Sequence, residues 1–177
     1  MHTAIREVVD MKKMLRKRKI VVLTAAAVLL LVSYLLYSRP MTLSQLYPSL
    51  TLDKCVEISG YYEDGKGVSF TNFTAEKDTE AYESLWEMLY EQKYRRSLRD
   101  LMPRRSRTHR YQPGDFQWEV IFRFDTVEFP DGNSASGSLL RIQYWYGDLD
   151  IHFNGGVRSC HTSEQDTWAK EILDIIR

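Results

Sequence analysis

What this sequence lacks narrows its reading before any motif does. It holds no G-x-S-x-G, no H-E-x-x-H, no P-loop and no glycine-rich dinucleotide turn. Each of those chemistries depends on a local geometry that such a motif builds, so none is indicated here. Cysteine is scarce: Cys55 and Cys160 are the only two, which excludes a multiply bridged scaffold or a cysteine-rich zinc module. There is no internal repeat, and no low-complexity tract beyond an arginine cluster. Net charge is also absent, with 24 basic and 24 acidic side chains.

That balance conceals an asymmetry. Residues 1–19 carry seven basic side chains against two acidic ones, whereas residues 40–177 carry 16 against 22. Between them, residues 20–37 (IVVLTAAAVLLLVSYLLY) form an uncharged run of 18. At about 1.5 Å per helical residue the run reaches roughly 27 Å, close to the hydrocarbon thickness of a bilayer. Thr24 and Ser33 can each bond a carbonyl one turn back, and Tyr34 and Tyr37 suit the headgroup level. A cleavable signal peptide is the competing reading. The run is longer than an ordinary h-region, and the exit sequence Leu35-Leu36-Tyr37-Ser38-Arg39-Pro40 has no A-x-A-like site. No cysteine follows to accept a lipid. A signal anchor is therefore expected.

Orientation follows from charge. Six of the eight residues 12–19 are basic, and only Arg39 stands just past the other end. The positive-inside bias holds the N-terminus in the cytoplasm and exports the rest. Met11 and Met14 are alternative starts, since Met11-Lys12-Lys13 opens like an export signal. The expected plan is a basic cytoplasmic segment (1–19), a transmembrane signal anchor (20–37), a linker (38–53) and an extracytoplasmic α+β domain (54–177).

Periodicity outlines that domain. Thr42-x-x-Gln45 resembles a capping box for a short helix before Pro48. Residues 54–62 alternate as a half-buried strand, and 68–73 return after Asp64-Gly65-Lys66-Gly67. A helix is expected over 78–94 with Asp78 as N-cap, its stripe formed by Tyr82, Leu85, Trp86 and Leu89. Residues 97–115 read as a long loop. Strands follow at 117–124, 139–146 and 149–153, then a last helix from Ser163, where Ser163-x-x-Asp166 imitates a capping box. The order β-β-α-β-β-β-α implies a mostly antiparallel sheet with both helices on one face.

Four features bear on function. Cys55 and Cys160 form a candidate disulfide in an exported domain; two buried thiols are the alternative. Asp150 and His152 share a strand face, and His161 lies nearby in a pre-helix turn. Zinc needs three or four converging ligands, so this set is read as solvated and no metal or other cofactor is expected. Arg95, Arg96, Arg99, Arg104, Arg105, Arg107 and Arg110 concentrate positive charge in an acidic body. Guanidinium groups grip phosphate and carboxylate, making Arg104, Arg105, Arg107 and Arg110 the candidates for an anionic lipid, a cell-wall polymer or an acidic protein, with nucleic acid not expected outside the membrane. The alternative is a solvated loop offsetting Glu83, Glu87 and Glu91. Trp118, Tyr144, Trp145 and Tyr146 place aromatics on both sheet faces, where they bind a partner or lie under the 97–115 loop. Asn72-Phe73-Thr74 fits a glycosylation sequon.

The plan is similar to that of many bacterial envelope proteins, a likeness that carries no activity. The expected function is a membrane-anchored, non-catalytic binding domain. The alternatives are an envelope hydrolase with a dispersed site among Asp148, Asp150, His152 and His161, and a structural subunit of a membrane complex.

Overall fold

An uncharged stretch this long has one way to satisfy its backbone in an apolar medium, and the chain takes it. In the computed structural model, which describes residues 2–63, 70–98, 114–128 and 132–177, helix α1 runs His2–Tyr37. Its Lys17–Tyr37 portion, 21 residues with a mean hydropathy of 2.5, is long and apolar enough to cross a membrane, and none of that apolar window is buried. Thr24 Oγ1 donates to the Ile20 carbonyl at 2.9 Å, so its hydroxyl is satisfied within the helix. The chain divides into two units, Met1–Arg39 and Pro40–Arg177.

The second unit is α+β. It contains α2 (Leu43–Leu46), a 3-10 turn (Leu52–Lys54), β1 (Cys55–Glu63), β2 (Thr71–Ala75), α3 (Glu80–Tyr90) and β3 (Arg95–Arg96). Then come β4 (Gln117–Glu128), β5 (Ser134–Trp145), β6 (Asp148–Phe153), β7 (Gly156–His161) and α4 (Gln165–Ile176). The described strands form one seven-stranded sheet in the order β2-β1-β4-β5-β6-β7-β3, antiparallel at every pair.

The capping box ahead of α2 is present: Thr42 N donates to Gln45 Oε1 at 3.2 Å, and Gln45 N donates to Thr42 Oγ1 at 3.4 Å. Other expectations are corrected. The expected element order omitted β3 and β7. Helix α3 is capped by Thr79, whose hydroxyl accepts from Tyr82 N at 3.3 Å, because Asp78 adopts a left-handed φ of 65°. It ends at Tyr90, since Tyr94 exchanges backbone hydrogen bonds with Met41, 2.9 Å each way. The Ser163 capping box does not form. Glu164 is the N-cap of α4, in the left-handed region with no side-chain bond, and Gln165 Oε1 instead accepts from Thr162 N at 3.1 Å. Strand β5 begins at Ser134, five residues ahead of the strand expected at 139–146.

Register explains the core. Even-numbered residues of β4 and β5 meet in rows: Ile58, Phe122, Leu140 and Phe153 form one, and Tyr62, Trp118, Tyr144, Leu149 and Cys160 another. Both long helices cover this face. Trp86 of α3 packs edge-on against Phe122 with ring centroids 5.7 Å apart, and Trp168 of α4 against Trp118 at 5.8 Å. Their polar tips are also placed, Trp118 Nε1 donating to the Ala169 carbonyl at 2.9 Å and Trp168 Nε1 to the Met88 carbonyl at 3.4 Å. These bonds join sheet to α4 and α4 to α3 and satisfy both indole donors.

Candidate functional site

With the even positions of β4 and β5 committed to the core, the odd ones make the opposite face, and there the sequence is polar. One row holds Tyr61, Glu119, Gln143, Asp150 and Ser159; the next holds Ser59, Ile121, Arg141, His152 and Val157. A third holds Glu63, Gln117, Trp145 and Asp148, and continuing the β6–β7 register by one residue sets Asp148 across from His161, whose other neighbour is Arg95. Thus Asp148, Asp150, His152 and His161 all lie on one face. His161 closes β7 rather than sitting in a turn.

Much of this face is internally bonded. Tyr61 Oη donates to Glu119 Oε2 at 3.1 Å, Gln117 Nε2 to Glu63 Oε2 at 2.7 Å, and Ser159 Oγ to Asp150 Oδ1 at 2.7 Å. Glu63, Gln117 and Glu119 are buried, which is affordable for carboxylates only because donors reach them. Burial, then the adjacent Glu119 charge and hydrogen bond, push the Tyr61 phenol above its ordinary range, with Gln143 and Arg141 opposing. Trp145 is 46% exposed on this face, and exposed Phe70 lies edge-on to Tyr61 at 5.2 Å.

Sharing a face is not convergence. Successive same-face residues of β6 are about 7 Å apart along the strand, so Asp148, Asp150 and His152 are spread out. Among the described residues no three of His, Cys, Asp and Glu are placed to hold a metal ion. His152 borders a cavity of about 410 Å³ at the β6–β7 turn, while His161 borders a separate one of about 500 Å³ beside the start of α4. A third, of about 260 Å³, is lined by Asp115, Phe116, Tyr144, Tyr146 and Asp166. There Tyr144 Oη donates to Asp166 Oδ1 at 2.7 Å, and burial first, then that bond, hold the phenol protonated.

The disulfide expectation is corrected. Both cysteines are buried thiols, and neither is in a disulfide. Cys55 lies on β1 and Cys160 on β7, with β4, β5 and β6 between them. Four strand spacings put them at least about 19 Å apart, whereas a bridge needs Cα atoms within about 7 Å. Cys55 Sγ instead donates to the Glu57 carbonyl at 3.6 Å. Arg104, Arg105, Arg107 and Arg110 lie outside the described residues. Of that basic stretch, Arg95 and Arg96 are in β3, paired with His161 and Cys160. The Tyr61, Glu119 and Gln117–Glu63 contacts were not singled out from sequence, although Gln117, Glu119 and Arg123 at alternate positions signal that face. No known protein family, characterised protein or solved structure matches the chain.

Proposed function

We propose that the chain is a single-pass membrane protein with its N-terminus in the cytoplasm, whose second unit is an extracytoplasmic, non-catalytic binding domain in an envelope of bacterial type. The carrying observation is the helix Lys17–Tyr37, unburied and of mean hydropathy 2.5, joined to a separately cored unit. The charge step across that helix supports the orientation. A binding role is supported by the sheet face opposite the helices. Its hydrogen-bonding groups engage one another, as Ser159 does with Asp150, and leave Trp145 and Arg141 exposed for contact. Arg104, Arg105, Arg107 and Arg110 are the proposed contacts to an anionic lipid, polymer or protein of the same layer, and the tether raises the effective concentration of partners held there.

Two experiments test this. The full chain should stay with membranes through alkaline wash and leave only with detergent, and protease added outside spheroplasts should digest residues 40–177 while sparing 1–19. Protection of the whole chain would reject the orientation. Replacing the four arginines by Gln should weaken sedimentation with anionic vesicles in a salt-dependent manner; unchanged binding would remove the arginines from the proposal.

A further inference from the structure

Strand β5 is 12 residues long, and β4 pairs with it along its whole length. Its other edge is only half used. Strand β6 reaches no further than the Leu140↔Phe153 pair, so among the described residues no strand pairs with residues 134–139 on that side. Alternate residues of an antiparallel strand direct their N–H and C=O groups to opposite sides, which leaves about three residues with backbone groups unshared at this edge. The usual protections of such an edge are a lysine, a proline or an inward charge. Ser134, Ala135, Ser136, Gly137 and Ser138 supply none of these three, and the stretch departs from extended backbone at Gly137, whose φ is 67°. Where β6 stops, the step opens the cavity of about 410 Å³, bordered by Gly137, Ser138, Arg141, His152, Asn154 and Val157. Ser138 is 7% exposed, and its buried hydroxyl has no hydrogen-bond partner among the described residues. Arg141 is exposed, and no carboxylate lines the cavity among the described residues.

The geometry points to a binding site for the C-terminal end of an extended peptide, which joins the sheet beside residues 134–139 and lays its terminal carboxylate against Arg141. Charge selects the direction. A strand antiparallel to β5 would bring its amino end to the β6–β7 turn, where an ammonium group meets the Arg141 guanidinium. A strand parallel to β5 arrives there with its carboxylate, which a guanidinium grips through two hydrogen bonds. Main-chain bonds along the edge supply affinity, and the terminal charge supplies polarity.

This inference rests on the reading of the second unit as a binding domain, yet it is separable from the arginine loop. The full chain in detergent micelles is screened against random hexapeptides displayed with free C-terminal carboxylates, and against the same library amidated. Enriched peptides are expected from the free-carboxylate library alone. Amidation of a selected peptide, or Arg141→Gln in the protein, should each weaken binding about tenfold or more. Bound peptide should slow amide hydrogen exchange at residues 134–139. Equal binding of amidated peptides, an Arg141→Gln variant that binds normally, protection confined to other segments, or no enrichment from either library would overturn the site. Vesicle binding that survives such a failure would leave the proposed function standing, because the anchor helix and the four loop arginines support it independently of this edge.

Discussion

Gly60 of β1 pairs with Val120 of β4. A methyl group there would lie 1.9 Å from the Glu119 carbonyl oxygen and 2.9 Å from Cε1 of Phe73. Since the nearest obstacle is backbone, no side-chain rotation relieves it. Gly60→Ala should cost about 3 kcal/mol, read as a lower urea midpoint by circular dichroism; an unchanged midpoint would contradict the packing described. The tyrosines make a second prediction. Tyr82, Tyr94 and Tyr144 are all pushed above the ordinary phenol value of about 10, burial being the largest cause in each. Above that pH the folded state therefore holds protons that the unfolded chain releases, so stability falls as pH rises further, while below it these groups contribute no pH dependence. Alkaline unfolding is expected to begin above about pH 10, with phenolate absorbance appearing together with loss of tertiary structure. Ionisation of Tyr82, Tyr94 or Tyr144 themselves in a still-folded protein would refute it. Burial likewise raises the Cys55 thiol, keeping it protonated and unreactive at neutral pH. Thiol reagents should label Cys55 slowly until denaturant is added, and reductant should leave gel mobility unchanged.

The two hairpins β5–β6 and β6–β7 turn on Tyr146-Gly147 and Asn154-Gly155, each pair with positive φ: 47° and 85°, then 48° and 75°. Asn-Gly is the residue pair such a turn favours. Asn154→Ala forces a β-carbon into the left-handed region and should lower stability by about 1 kcal/mol, measurable by chemical denaturation together with faster amide exchange in β6 and β7. That Asn-Gly was also the sign by which β7 was legible. Without it, no strand is read over 156–161, and His161 falls in a pre-helix turn instead of on the polar face. Strands 117–124 and 139–146 declared themselves because one face was uniformly apolar, whereas in 54–62 a register shift between Cys55 and Glu57 buries Cys55 and leaves Val56 exposed. Strand ends did not: residues 134–138 are small and polar, and their strand conformation comes from pairing with β4 rather than from their own pattern. Helix α4 was placed to within two residues, though its cap is Glu164 rather than Ser163.

At the scale of the molecule, local pattern shows elements but not neighbours. Nothing within 54–62 indicates that its partner is β4, some 60 residues later, so the separation of Cys55 from Cys160 became visible only with the strand order. The candidate site divides the same way. That Asp150 and His152 share a face follows from alternation on one strand, whereas the addition of Glu119, Tyr61 and Arg141 to that face requires cross-strand register. The same long-range pairing has a consequence for synthesis. On a chain made from its N-terminus, β1 emerges early and must wait for β4, and the core row of Trp118 and Tyr144 stays uncovered until α4 arrives. Folding is thereby postponed until α4 has emerged, and a product interrupted before Gln165 would leave the sheet's tryptophans bare and open to proteolysis.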